Sequence, residues 1–360
     1  MNSVYIHIPF CHSICSYCDF CKLIYKEEWV NNYLDELANE INDKYSGEII
    51  KTIYIGGGTP SSLNKNQLQK LSDIIKIFKL KSDVEFTFEC NLDDINADLL
   101  NALKTMGVNR LSIGIESFNK HNLQFMHRNH TFKEAKNNIK LCRNYGFNNI
   151  NLDLIYGIQK QSIFALKNDI KALLKLNPEH ISTYSLIIED NTLIGINNLI
   201  PIDEDTDAEM YKTIIRMLTK KGYKHYEVSN FAKPGFESKH NTNYWLNNNY
   251  YGFGLGAHGY IGNVRYENTR SLTNYLKGNH VLKENVLAKD EDMDNYLMLG
   301  FRLLDGINLS DFYKRYGINI QEKYPVQDLV NKKELIYTNG YLKINPKYIY
   351  VMNEILIKLF

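Results

Sequence analysis

Four of the six cysteines stand in one short stretch, CHSICSYCDFC, which runs from Cys11 to Cys21. Thiols crowded this closely pair as disulfides, hold a metal, or exchange electrons. Cys11, Cys15 and Cys18 form CxxxCxxC, and Cys21 adds a further CxxC step. A structural zinc site usually sets one close cysteine couple about a dozen residues from a second, and the remaining Cys90 and Cys142 are solitary. The short, irregular spacing fits iron–sulfur ligation better, with zinc as the alternative. Three thiolates on a [4Fe-4S] cluster leave one iron without a protein ligand, and an open iron is a binding position for a small molecule.

Such a loop needs a frame. Short β-branched runs alternate with amphipathic stretches: VYIHI (4–8), TIYI (52–55), VEFTFE (84–89), RLSIGIE (110–116), INLDLIY (150–156) and HISTYSLII (180–188) read as strands. EEWVNNYLDELANEI (27–41), KNQLQKLSDIIKIF (65–78) and SIFALKNDIKALLKL (162–176) read as helices between them. This β-then-α succession predicts an α/β fold with a parallel sheet, too few strands for a closed barrel. GGGTP, Glu89, Glu116 and Asp153 fall at or near the strand ends, which is where such sheets build their sites.

Beyond residue 200 the alternation loosens. Residues 203–222 predict an acid-capped helix, YEVSNF one more strand, and the region from about 285 helices followed by β-like runs such as YLKI and YIYV. Two units follow from this, 1–280 and a small C-terminal domain, 281–360. With 42 basic and 41 acidic residues the net charge of +1 gives no global pull toward nucleic acid or anionic membrane. No apolar run is long enough to span a bilayer and no secretory leader is legible, so the protein is expected in the cytoplasm.

YIHIPFC with the CxxxCxxC loop, YIGGGTP, RLSIGIESF, NLDLIYG, HISTYSL, YEVSNFAKPGFESKHNTNYW and GLGAHGY together resemble the radical S-adenosylmethionine (SAM) superfamily. Within it they are similar to the branch that contains oxygen-independent coproporphyrinogen III dehydrogenase and the haem chaperones of the HemW family. The resemblance implies a partial (β/α)6 TIM-like barrel followed by a small α+β, winged-helix-like domain. Its cofactors would be a [4Fe-4S] cluster on Cys11, Cys15 and Cys18 and SAM chelated to the open iron. An electron from the cluster would cleave the sulfonium to methionine and a 5′-deoxyadenosyl radical. Motif matching puts Tyr5, Tyr17, Gly57, Gly58, Thr59, Glu89, Glu116, Arg128 and Asp153 beside SAM, with Arg128 toward its carboxylate. The family commonly has Gln where this chain has Glu116. Alone, GGGTP would be a plain turn and Asp153 a structural partner in the core.

Three features favour chaperone over dehydrogenase: the chain begins close to its first strand, Cys21 lies one residue beyond the dehydrogenase's CxC position, and KHNTNYW carries the HNxxYW spacing. In the HemW reading His240, Asn241, Tyr244 and Trp245 are candidates to bind haem, with His240 a possible iron ligand and the rings covering a porphyrin face. A polar loop anchored by packed aromatics is the other reading of that motif. The resemblance thus implies a haem chaperone that delivers haem to acceptor apoproteins, among them membrane-bound respiratory enzymes; a decarboxylating coproporphyrinogen III dehydrogenase is the alternative. His258, with Gly252, Gly254 and Gly256, is expected in a tight loop closing the pocket, and Cys90 and Cys142 as small buried hydrophobes.

Overall fold

The structure is a computed structural model that describes residues 2–197 and 199–360. Six parallel strands pair in chain order: β1 Ser3–Ile8, β2 Ile49–Gly57, β3 Lys79–Asn91, β4 Arg110–Glu116, β5 Ile150–Tyr156 and β6 His180–Ser185. Helices return the chain between them, including α1 Glu27–Lys44, α2 Lys65–Ile75, α3 Ala97–Met106, α4 Phe132–Asn144 and α5 Ile163–Lys175. Local chemistry sets their starts: Asn64 and Gln67 form a reciprocal capping box on α2, and Thr131 and Glu134 do the same on α4. The expected helix 65–78 stops at Ile75, because its last turn tightens into i→i−3 bonds such as Lys76 N–H to the Asp73 carbonyl.

Alternation along the strands sorts two faces. Val4, Ile6, Ile53, Ile55, Phe86, Phe88, Leu111, Ile113, Leu152 and Ile181 are fully buried in the main core beneath the helices. Their neighbours in sequence, such as Ser3, Thr52, Asn151, Asp153, His180 and Ser182, turn inward and bond to one another or to other groups inside the barrel. The lumen is therefore polar, unlike the branched apolar filling of a closed TIM barrel.

Both edges of the six-strand arc are extended by later parts of the chain. Tyr251–Phe253 adds in parallel to β1, and on β6 sits an antiparallel hairpin of Lys224–Glu227 and Asn230–Ala232. The expected single strand YEVSNF is thus two strands, broken at Val228–Ser229 by the hairpin turn. Asp203 caps the helix Glu204–Thr219 by accepting from Thr206 N–H, as the acidic start predicts. Val281–Val286 completes a three-stranded antiparallel sheet with His258–Ile261 and Val264–Asn268. The remainder holds helices Lys289–Gly300 and Leu309–Tyr316 and a small sheet of Ile307–Asn308, Tyr341–Ile344 and Leu335–Thr338. YIYV is not β-like: Pro346–Val351 is a 3-10 helix, begun by Pro346 and by the Asn345 side chain capping Lys347 N–H.

Candidate cofactor-binding site

The cysteine loop leaves β1 at its C-terminal end. It is closed at its base by pairing of Phe10–Cys11 with Leu23–Ile24, through Leu23 N–H to the Pro9 carbonyl at 2.7 Å and Tyr25 N–H to the Cys11 carbonyl at 2.9 Å. His7, on β1, pins the far side: its Nε2 donates to the Cys21 carbonyl at 2.7 Å and its Nδ1 accepts from Tyr5 at 2.8 Å. Burial lowers the His7 imidazole to about 4, so it remains neutral in this role. The Cys11 thiol is buried, takes a hydrogen bond from Thr59 Oγ1 at 3.3 Å, and is pushed up to about 11 by that burial. Cys15 and Cys18 are half-exposed.

GGGTP packs directly onto this loop's root. Gly57 has φ +115°, and a methyl group there would lie 2.4 Å from the His7 ring. One on Gly58 would lie 2.6 Å from the Pro9 carbonyl carbon. Only glycine permits so close an approach of the two backbones.

Three carboxylates line the rim and upper lumen. Glu89 accepts from Tyr54 at 2.7 Å and from Gly57 N–H at 3.0 Å. Glu116 sits at φ +62° beside a register shift between β4 and β5, and faces Arg128 Nη2 at 3.2 Å. A side chain other than glycine in the left-handed region is strained, and the bulge is what aims this one. Asp153 accepts from Asn151 Nδ2 at 2.7 Å. Burial raises all three, Glu89 and Glu116 to about 7, with Arg128 only partly opposing the effect at Glu116. A cavity of about 440 Å³ lies at the cysteine loop, lined in part by Ser13, Cys15, Asn91, Asp93 and Arg128.

Among the described residues no three His, Cys, Asp or Glu side chains converge on a single-ion position, and the donors at the rim are thiols and carboxylates. Three thiols on one short loop, one buried and two half-exposed, suit an iron–sulfur cluster. A desolvated set of carboxylates with one paired arginine suits a ligand carrying cationic ammonium and sulfonium groups and ribose hydroxyls. The residues present fit both cofactors. Tyr5, Tyr17, Gly57, Gly58, Thr59, Glu89, Glu116, Arg128 and Asp153 are all brought to this rim or the lumen beneath it, with Arg128 turned to Glu116 and to the Gly114 carbonyl.

The HNxxYW segment lies elsewhere. Lys239–Trp245 is a short helix at the N-terminal ends of the strands, opposite the cysteine loop. His240 is buried; its Nδ1 meets Thr52 Oγ1 at 2.9 Å and its Nε2 meets the Tyr244 hydroxyl at 2.8 Å. Glu85 of β3 accepts from Lys239 N–H at 3.0 Å and His240 N–H at 2.9 Å. Burial lowers the His240 imidazole to about 3. Trp245 Nε1 is buried without a partner, and Arg302 lies 5.5 Å from the Trp245 ring centre. His258 is largely exposed, 4.0 Å from Glu267. Gly256 of the same segment packs against Cys21, whose Cβ a methyl there would meet at 2.7 Å.

Sequence reading missed His7, Tyr54, Asn151 and His180. The signal was available: SxYxH, TxYxG, ExTxE, RxSxG, NxD and HxSxY all place polar groups at every second strand position.

Residues 5–173 match the Radical SAM superfamily and residues 287–351 the HemN C-terminal domain. A protein named heme chaperone HemW from Lactococcus lactis is 39% identical over 350 residues, covering 94% of this chain and 91% of the relative. The chain belongs to the HemW family. The HemW of Bacillus subtilis is 40% identical over 350 residues and that of Escherichia coli 36% over 328, covering 92% and 88% of this chain and 92% and 86% of those relatives. A solved coproporphyrinogen III oxidase (HemN) from Escherichia coli, described as a radical SAM enzyme, superposes with TM-score 0.86 at 22% identity, over 99% of this chain and 89% of that one, which shows a shared fold. As a radical SAM protein, this HemW family member has a [4Fe-4S] cluster and SAM as its cofactors.

Proposed function

We propose that this chain is a haem chaperone: it binds haem, carries a SAM-ligated [4Fe-4S] cluster, and delivers haem to acceptor apoproteins. The observation that carries this reading is the alignment with proteins named heme chaperone HemW over nine-tenths of both chains, 94% and 91% for the Lactococcus lactis relative. Cys11, Cys15 and Cys18 would hold the cluster. When bound, the cluster and SAM supply one-electron reduction and a sulfonium open to cleavage. Glu89, Glu116 and Asp153 would draw in the cationic ligand, and the tight GGGTP turn would exclude water from its near side.

Haem would bind at the opposite end of the barrel. His240 is fully committed to Thr52 and Tyr244, so iron ligation would require Nε2 to leave the Tyr244 hydroxyl. The acceptors are haem-requiring apoproteins, with membrane-bound respiratory enzymes the first to examine, and we place the chaperone in the cytoplasm, where a loop of free thiols is maintained. Among the described residues no helix is long and apolar enough to cross a membrane. The division at 280 we move to the end of Val281–Val286, since that strand pairs with Val264–Asn268.

The test is an anaerobic comparison on cluster-reconstituted protein. Haem is titrated by its Soret absorbance, and the same preparation is supplied with SAM, a reductant and coproporphyrinogen III. Tight haem binding without turnover is the expected result. Formation of protoporphyrinogen IX would replace the chaperone reading with the dehydrogenase one.

A further inference from the structure

The lumen connects the two ends of the barrel by an unbroken chain of buried side chains. Ser238, the N-cap of the Lys239–Trp245 helix, donates its backbone N–H to the Tyr226 hydroxyl at 3.2 Å. Tyr226 meets His180 Nε2 at 2.8 Å, His180 Nδ1 meets Asn151 Oδ1 at 2.6 Å, and Asn151 Nδ2 donates to Asp153 at 2.7 Å. The orientations are forced from both ends. Asp153 as a carboxylate only accepts, so the amide nitrogen must face it, which leaves Nδ2 to donate also to Ser112 Oγ at 2.8 Å and Oδ1 to accept from Ser182 at 3.0 Å. His180 Nδ1 must then carry the proton, leaving Nε2 to accept from the Tyr226 hydroxyl. Every link donates in one direction, from the helix cap to the rim carboxylate, the arrangement in which hydrogen bonds polarise and strengthen one another.

A second tie runs alongside. Glu85 accepts two N–H groups at the start of that helix, and Glu89 lies four residues on along β3. Glu89 accepts from Tyr54, whose ring centre is 5.2 Å from that of His240. Both ties therefore join the rim carboxylates to that helix, so a ligand that draws on Glu89 or Asp153 bears on groups bonded to or packed against it.

We propose that His180 and Tyr226 are positioning residues that couple SAM at the rim to the setting of the Ser238–Trp245 segment, so that SAM and haem alter each other's affinity. This rests on the SAM and haem assignments proposed above, and its two readouts separate its failure from theirs. The chain has two tryptophans, Trp29 and Trp245, so Trp29→Phe leaves Trp245 as the reporter of the segment. SAM added to cluster-loaded Trp29→Phe protein is expected to change Trp245 emission, and Tyr226→Phe in the same background to abolish that change while SAM still binds. His180→Gln, which cuts the chain at another link, is expected to act alike if Tyr226→Phe folds poorly. Haem affinity is expected to differ about 5-fold or more with and without saturating SAM, with haem changing SAM affinity by the same factor. An emission change that survives both substitutions, or none in the parent protein, overturns the coupling. Haem affinity indifferent to SAM also overturns it while leaving the chaperone reading intact. No haem binding at all, with the Trp245 response to SAM retained, overturns the chaperone reading and confines the coupling to SAM and the segment.

Discussion

Tyr244 holds His240 in a closed setting, with its hydroxyl 2.8 Å from His240 Nε2 while Thr52 occupies Nδ1. The imidazole therefore has no free lone pair as folded. If His240 is the iron ligand, Tyr244→Phe should tighten haem binding by roughly 3- to 10-fold, the worth of one ordinary hydrogen bond that no longer has to be broken. Soret titration reads this directly. A loss of affinity with a changed Soret band would instead make the Tyr244 oxygen the ligand.

The cysteines divide into a ligand set and a remainder. Cys18→Ser should abolish the cluster's visible absorbance while the thermal melting curve keeps its cooperative shape, because Cys18 sits on a half-exposed loop outside the core. Cys21→Ser should retain iron and sulfide, since the position's visible work is done by its backbone carbonyl on His7 and by its packing against Gly256. Equal loss of iron in both variants would contradict the CxxxCxxC assignment.

Glu116 and Glu89 predict a pH dependence with a defined sign. Their folded values near 7 lie above the ordinary carboxylate value of 4.5, so the SAM-free protein binds extra protons between those limits and its stability falls as pH rises through that window. A cationic ligand favours the ionised forms. SAM binding should therefore release protons below pH 7, tighten by up to about 10-fold per pH unit for each proton released, and level off above that. Isothermal titration in buffers of different ionisation enthalpy measures the release. Glu116→Gln keeps the hydrogen-bonding shape, removes one titrating group, and should flatten the slope; an unchanged slope would remove Glu116 from the site.

Gly57→Ala should be felt in the cysteine loop. The residue's φ of +115° is strained for alanine, and an added methyl 2.4 Å from the His7 ring fits only if that ring or the backbone moves. We expect a loss of roughly 2 kcal/mol or more in denaturant unfolding, together with reduced cluster content as His7 gives up the Cys21 carbonyl. Unchanged stability and iron content would show that the strand end has room to relax.

Several parts of this molecule were readable because their causes are local. RLSIGIE and INLDLIY became strands at their expected limits, Arg110–Glu116 and Ile150–Tyr156, since a strand with one apolar face toward the helices and one polar face toward the lumen writes its own period of two. The acid-capped helix, the glycine turn and the cysteine loop likewise depend on residues within a few positions of one another. YIYV misled because its residues suit a strand, while Asn345 and Pro346 just before it set a 3-10 turn.

What the chain's order alone determined was the cysteine loop, the β/α succession and the motifs that belong to the HemW family. Tertiary structure decided where those motifs stand. His240 is buried by Thr52 and Glu85, 188 and 155 residues away, and that places HNxxYW at the opposite end of the barrel from the cysteines it resembles in motif strength. The edge pairing of Tyr251–Phe253 with β1 and the passage from Asp153 to Ser238 through the lumen have the same origin. A hydrogen bond between distant residues leaves no period in the sequence, and it forms only when the sheet brings its partners face to face.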